Sequence, residues 1–177
     1  MKRSAKILGV IVCCFVAGVV GVLLYLVSGT RPPKEAKLIQ TFQAHRAEFD
    51  RLREMLQADV QVVRLATWGV VTTNSVIPRV PPEGTFPLAR YGEYMVLLKR
   101  VGGSVAFRGE GQHANPSVLL WGSGFAGYTR HIGLSWMDQP PTNQIATLDA
   151  YRGMSQFDDR HVVFRHLDSN WYLWTDL

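Results

Sequence analysis

The sequence predicts an α+β protein that begins with an N-terminal transmembrane helix. One amphipathic helix packed on a mainly antiparallel sheet of about five to seven strands is expected to follow. Three observations support this prediction. Residues 7–27 contain no charged side chain, and residues 34–57 place apolar side chains at the spacing of a helix face. After Asp59, short runs rich in β-branched and aromatic residues alternate with turn-forming residues, which is typical of strands.

The uncharged stretch is long enough to cross a membrane. It starts at Ile7 and ends at Val27, and 14 of its 21 residues are Val, Leu, Ile or Phe. At about 1.5 Å per residue, a helix of this length spans about 31 Å, close to the thickness of the hydrocarbon core of a bilayer. Lys2, Arg3 and Lys6 precede the stretch, so we interpret it as an uncleaved signal-anchor embedded in the lipid bilayer.

Two alternatives to a permanent anchor exist. A cleaved signal peptide fits the basic start, and Val27-Ser28-Gly29 resembles a cleavage site, but the apolar stretch exceeds the usual length of about 7–15 residues. A lipoprotein signal would use Cys13 or Cys14, but Val12 stands where a small residue is expected.

The charges that flank the stretch slightly favour a cytoplasmic amino terminus, because Glu35 offsets part of the positive charge of Arg31, Lys34 and Lys37. The predicted localisation is therefore a membrane, crossed once, with the C-terminal domain periplasmic or external. The predicted organisation is a short basic cytoplasmic tail at residues 1–6, a transmembrane signal-anchor at 7–27, a proline-containing linker at 28–33 and a single extracytoplasmic α+β domain at 34–177.

The net charge of +5 does not indicate nucleic-acid binding. Lys2, Arg3 and Lys6 contribute +3, and the rest of the chain has 16 basic and 14 acidic residues, which leaves +2. No basic run there is longer than Lys99-Arg100, so we expect no nucleic-acid partner. Both cysteines lie within the apolar stretch, and the domain sequence therefore contains neither a disulfide nor a thiolate.

Residues 34–57 predict one amphipathic helix with a heptad-like apolar stripe, in which His45 fills the remaining position. The stripe consists of Leu38, Phe42, Phe49, Leu52 and Leu56. It predicts packing onto the domain's own sheet. The alternative is a contact with an envelope protein partner or self-association, which Ala17 and Gly21 would support because small residues let two membrane helices approach closely.

The strands are predicted from the β-rich runs. Residues 60–73 predict one long bent strand or two, and further strands are expected at 91–101, 104–108, 117–121, 128–136, 161–167 and 171–175. Asp168-Ser169-Asn170 favours a turn, so the last two strands should form a hairpin. Four prolines exclude a central strand from residues 74–90, and a short helix is expected near 147–154.

The motifs that carry chemistry are weak. Residues 122–127, Gly-Ser-Gly-Phe-Ala-Gly, match the dinucleotide-binding fingerprint, but strand-like alternation follows where that site requires a helix, so we predict a glycine-rich turn or bulge. No serine stands in a Gly-x-Ser-x-Gly elbow, and the histidines lack the spacing of a zinc site. We therefore predict no catalytic residue, cofactor or metal ligand. The histidines are His45, His113, His131, His161 and His166.

Residues 170–174, Asn-Trp-Tyr-Leu-Trp, form the strongest aromatic cluster. Trp171 and Leu173 share one face of the predicted strand, and Tyr172 and Trp174 share the other. A strand that is apolar on both faces is usually buried between two layers, which is our interpretation. The alternative is that one aromatic face is exposed as a binding surface.

These patterns predict a non-catalytic envelope protein whose anchored domain binds or organises another envelope component. A periplasmic hydrolase that uses histidine and carboxylates from separate strands is one alternative. The order of apolar helix, amphipathic helix and antiparallel sheet also resembles that of the pilins, which implies a structural subunit. The pilin processing motif, Gly followed by Phe-Thr-Leu-Ile-Glu, is missing from the sequence, and Pro32-Pro33 interrupts the continuous helix of such subunits.

Overall fold

The central element of the fold is an antiparallel sheet with helices packed on one face. The structure is a computed structural model and describes Gly18 and residues 31–79, 86–109, 115–125, 128–151 and 162–176. The helices are α1 (Glu35–Ala44), α2 (Arg46–Ala58), α3 (Leu88–Val101) and α4 (Leu148–Tyr151). The strands are β1 (Val62–Ala66), β2 (Gly69–Thr72), β3 (Ser75–Arg79), β4 (Val105–Arg108), β5 (Pro116–Phe125), β6 (Tyr128–Trp136), β7 (Val163–Asp168) and β8 (Trp171–Thr175).

The described strands form one eight-stranded sheet in the order β3-β2-β1-β4-β5-β6-β8-β7, and all neighbouring pairs are antiparallel. The predicted α+β class and antiparallel sheet are confirmed, but the sheet has more strands than expected. The additional strand, β3, comes from the proline-rich residues 74–90. It lies at the edge of the sheet, where Pro78 is tolerated because its missing N–H interrupts no central ladder.

The predicted helix at residues 34–57 is two helices, α1 and α2, which meet at His45. His45 leaves helical geometry with φ −122° and ψ 29°, yet its N–H donates to the carbonyl of Thr41 and its own carbonyl accepts from the N–H of Phe49. The Thr41 hydroxyl also donates to the Lys37 carbonyl at 2.9 Å, a contact that bends helices. The break is therefore a kink that keeps the apolar stripe continuous.

The strand predicted at residues 91–101 is wrong, because these residues belong to helix α3. The buried side chains Tyr94, Leu98 and Val101 are spaced by four and three residues, which is the period of a helix and not of a strand. Gly102 ends the helix in the left-handed conformation (φ 66°), and the N–H of Gly103 donates to the Leu98 carbonyl at 2.9 Å. This pattern is a glycine-based helix stop.

The core lies between the helices and the sheet. All five residues of the α1–α2 stripe are at most 5% exposed and belong to this core. Trp171 of β8 is fully buried, with its ring 5.8 Å from that of Phe42 and 6.0 Å from that of Phe49. A partner for the stripe would therefore have to displace the domain's own core.

Glu35, the first residue of α1, is a buried carboxylate at 2% exposure. One carboxylate oxygen forms an ion pair with Arg165 of β7. The other accepts from the Thr147 hydroxyl at 2.6 Å and from the N–H of Asp149 at 3.1 Å. Glu35 thereby caps α4, the short helix expected near residues 147–154, and joins it to the start of α1.

The chain divides into two compact units, Met1–Pro32 and Pro33–Leu177, and all the elements named above belong to the second. Apart from Gly18, the predicted transmembrane residues 7–27 lie outside the described residues. Among the residues that the structure does describe, no helix has both the length and the apolar character needed to cross a membrane. The anchor stays a prediction.

Tyr94 of α3 makes the free energy of unfolding depend on pH in the alkaline range. Its side chain is fully buried, and its hydroxyl donates to Asp59 at 2.9 Å. Burial first, and then the hydrogen bond to Asp59, raise the pKa of Tyr94 well above its ordinary value of 10.0. Because the pKa of Tyr94 is raised in the folded state, the tyrosine of the unfolded chain ionises first as the pH rises. The stability that the neutral Tyr94 contributes to the folded state is therefore fully present below about pH 10 and is lost as the pH rises further.

We expect the free energy of unfolding to fall above about pH 10 by up to about 1.4 kcal/mol per pH unit for this group. Tyr94→Phe should flatten that fall and cost about 1 kcal/mol at neutral pH through the lost hydrogen bond. Denaturant titrations followed by circular dichroism between pH 8 and about 11 measure both effects. Equal alkaline slopes in the two proteins would contradict the assignment.

Candidate functional site

The candidate site lies on the face of the sheet that points away from the core, which we call the outer face. Alternation along β6 sends Ile132 and Leu134 into the core and leaves His131 and Gly133 on the outer face. Along β8, the same alternation buries Leu173 and places Trp174 on the outer face. The outer face is therefore set by strand register.

A cavity of about 190 Å³ opens on this face. The side chains of Phe107 and Trp174 meet in it edge to face, with ring centroids 6.2 Å apart at 89°. Trp68, in the turn between β1 and β2, adds a third ring and is 45% exposed. The lining consists of Arg64, Trp68, Val105, Phe107, Leu119, His131 and Trp174.

Gly133 lets Trp174 take its place in the cavity wall. These two residues are register partners on β6 and β8, and a Cβ atom at Gly133 would lie 2.7 Å from the indole ring and 2.6 Å from the Val118 carbonyl oxygen. The ring thus occupies the space that a side chain would fill. The buried indole N–H of Trp174 has no acceptor within the described part of the chain, an arrangement that costs about 1–3 kcal/mol.

Replacing Gly133 by alanine should destabilise the domain by about 1–3 kcal/mol, because the added methyl group meets a backbone carbonyl that cannot move freely. It should also shift tryptophan fluorescence by displacing Trp174. Gly92→Ala is the matched control, since a Cβ atom at this position in α3 meets nothing within 4 Å beyond its chain neighbours and the backbone of its own helix. That change should stabilise the helix by up to about 1 kcal/mol. Wild-type stability in Gly133→Ala would contradict the contact.

His131 is held at the rim of the cavity by Asp176. One carboxylate oxygen of Asp176 accepts from the main-chain N–H of His131, and the other lies 2.7 Å from its Nδ1. Because an ionised carboxylate only accepts hydrogen bonds, Nδ1 carries the hydrogen and Nε2 is the ring nitrogen left for other contacts. The His131 side chain is 32% exposed and that of Asp176 20%.

Arg64 supplies the positive charge of the site. It pairs in register with Phe107 across β1 and β4, and its side chain is exposed. No carboxylate among the described residues forms an ion pair with it. The cavity therefore combines apolar walls with one uncompensated guanidinium group.

Two other cavities have different walls. One of about 660 Å³ lies beside the Pro140-Pro141 loop, where Arg53 covers the ring of Trp136 at 5.1 Å. Another, of about 400 Å³, lies between α1 and the end of α3 and is lined in part by Lys37, Lys99 and Arg100. In neither cavity do the described lining residues bring several aromatic rings together with a charged group, so the outer-face cavity is the stronger candidate.

The structure gathers only some of the predicted candidate residues. His131 lines the outer-face cavity, His45 lies at the α1–α2 kink, and the ring of His166 contacts that of Tyr172 at a tilt of 55°, with centroids 5.2 Å apart. His113 and His161 lie outside the described residues. In the described ranges, no three His, Cys, Asp or Glu side chains are grouped in a way that could hold a metal ion.

The glycine-rich residues 122–127 are predicted to form a turn or bulge between strands, and the structure describes residues 122–125 of this segment. Gly122 to Phe125 end β5 and pair with β6, which is a strand where a dinucleotide site would need a helix. The aromatic cluster at residues 170–174 fits the buried interpretation in part and the exposed interpretation in part. Trp171, Tyr172 and Leu173 are buried, whereas Trp174 is partly exposed and lines the cavity.

Sequence reasoning did not select Arg64, Trp68 or Phe107. The available signal was Trp68 itself, a large aromatic residue directly before Gly69 and between two β-branched runs. In comparisons with protein-family models, curated proteins and solved structures, nothing matched this chain significantly.

Proposed function

We propose that this chain is a single-pass membrane protein whose extracytoplasmic domain binds another component of the cell envelope, without catalysis, through the outer-face cavity. The observation that carries the proposal is the cavity wall of three aromatic rings, one of which, Trp68, is 45% exposed. Partly exposed rings around a concave site are typical of binding surfaces, since they offer large apolar area at small entropic cost. The uncharged residues 7–27 support the anchor.

Site-specific photo-crosslinking in intact cells tests the binding role. A photoreactive phenylalanine analogue replaces Trp68 in one strain and Val96 in another. Val96 is a matched control because it is 53% exposed but lies on α3. We expect one defined adduct from position 68 and none from position 96. Equal patterns at both positions would overturn the proposal.

Trp68→Ala tests the same proposal by affinity. Loss of one stacking ring should weaken binding of the identified component by about five- to tenfold, with circular dichroism unchanged because Trp68 lies in an exposed turn. Unchanged affinity in a folded variant would remove Trp68 from the binding surface.

A separate experiment tests on which side of the membrane the domain lies. The sequence has two cysteines, Cys13 and Cys14, and none in residues 28–177. A single cysteine introduced at Val96, in a chain with both native cysteines changed to alanine, should react with a membrane-impermeant thiol reagent in intact cells. Labelling only after permeabilisation would place the domain on the cytoplasmic side.

A hydrolase is the second candidate, and the His131–Asp176 pair favours it. A histidine oriented by a carboxylate at 2.7 Å can act as a general base through its free Nε2. In the described part of the chain, no hydroxyl or thiol forms a hydrogen bond with that nitrogen, so water would have to be the nucleophile. Turnover of ester or glycan substrates that is abolished by His131→Ala would favour this candidate over binding.

A further inference from the structure

The polar groups of the outer-face cavity indicate the charge of its ligand. We propose that this cavity binds a small organic carboxylate, with the apolar body against the aromatic rings and the carboxylate paired with Arg64. This inference rests on the function proposed above and specifies the chemistry of its ligand.

The size of the cavity sets the size of the ligand. Its volume of about 190 Å³ is below the range of about 300–1,000 Å³ that accommodates drug-sized molecules. It therefore suits one ring or one branched aliphatic group. Phe107 and Trp174 meet edge to face, and Trp68 supplies a further surface against which a flat group can stack.

The charge of the cavity selects an anion. Among the described residues that line the cavity, Arg64 is the one with a permanent charge, and none has an acidic side chain. Asp176 is nearby, but both of its oxygens already contact His131. A ligand that covers Arg64 removes water from the guanidinium group, and only an anionic ligand replaces that water with a paired charge. A planar carboxylate matches the fork of the guanidinium in two parallel hydrogen bonds.

The hydrogen-bonding capacity of Arg64 agrees with this choice. Its guanidinium has donors and no acceptor capacity, so a cationic ligand would leave it unmatched.

Three probes of the same shape and different charge test the proposal: benzoate, benzamide and benzamidine. Binding to the full-length chain in detergent micelles is measured by saturation-transfer NMR and calorimetry at low and high salt. We expect benzoate to bind about tenfold or more tighter than benzamide, and benzamidine to bind weakest. High salt should reduce the benzoate preference.

Arg64→Leu should abolish the preference for benzoate over benzamide, and Arg64→Lys should retain part of it. Arg130→Leu is the control, since Arg130 is an exposed arginine of β6 outside the cavity lining. If benzoate and benzamide bind equally and Trp68→Ala weakens both, the carboxylate inference is overturned while the binding site stands. If no probe binds, the inference is also overturned, and the crosslinking at position 68 decides the proposed function separately.

Discussion

Replacement of Trp171 by alanine should lower the free energy of unfolding by about 3–5 kcal/mol. The side chain is fully buried and packs against both Phe42 of α1 and Phe49 of α2, which lie on either side of the helix kink. Its indole N–H donates to Asp50 at 3.0 Å, so the change removes a hydrogen bond together with the packing. Because a domain is stable by only about 5–15 kcal/mol, much of the total would be lost.

Trp171→Phe separates the two contributions. It keeps an aromatic ring but removes the hydrogen bond to Asp50, and should cost less than the alanine variant. Denaturant titration followed by circular dichroism measures both values. A loss below about 1 kcal/mol for Trp171→Ala would mean that α1 and α2 are not held on the sheet by this residue.

Arg165→Met should cost about 3 kcal/mol, because it leaves the carboxylate of Glu35 buried without its counter-charge. The Arg165 side chain is 30% exposed, which places the expected cost at the lower end of the range for broken buried pairs. Adding Glu35→Gln removes the charge but keeps an acceptor for Thr147 and Asp149, so the double variant should recover part of the loss.

Asp168→Asn is the matched control for the ion pair. It breaks the pair between Arg46 and Asp168, whose aspartate side chain is 61% exposed, and should cost at most about 1 kcal/mol. Denaturant titrations compare the wild type, Arg165→Met, the double variant Arg165→Met with Glu35→Gln, and Asp168→Asn. If Arg165→Met is no more destabilising than Asp168→Asn, the Glu35 contact does not stabilise the fold.

The local patterns of the sequence were sufficient for most strands. Regular alternation identified β6, and turn residues between two β-rich runs identified the β7–β8 hairpin, in which Ser169 adopts φ 51°. The apolar stripe of α1 and α2 was also correct, although His45 divides the helix. These features depend on neighbours in sequence, which is why single-sequence reasoning finds them.

Helix α3 was missed because its composition and its period disagree. Tyr91, Tyr94 and Val96 favour strands by propensity, and Gly92 weakens a helix. Tertiary packing decides in favour of the helix: Tyr94, Leu98 and Val101 enter the core, and the Tyr91 hydroxyl donates to the Ala66 carbonyl at 2.9 Å. The adjacent glycines Gly102 and Gly103 are the local sequence feature that indicates the end of this helix.

The candidate site was not predictable because its residues come from strands that are distant in sequence. Phe107 of β4 contacts Trp174 of β8 across two intervening strands. To predict this contact, one would have to know the order of the strands and that Gly133 has no side chain in the space that the Trp174 ring occupies. Neither can be read from local periodicity. Trp174 itself was recognised as part of an aromatic strand, but the choice between core and surface required the register.

The position of β8 constrains how the domain folds during synthesis. Although β8 follows every other described strand in the chain, it lies inside the sheet, between β6 and β7. While the ribosome is still adding residues 171–175, β7 lacks β8 as its partner strand, and Phe42 and Phe49 of the helices lack their contacts with Trp171. The native sheet is therefore complete only after residue 175 has been added, and until then the chain has an unpaired strand and an apolar helix face that lacks one of its core contacts.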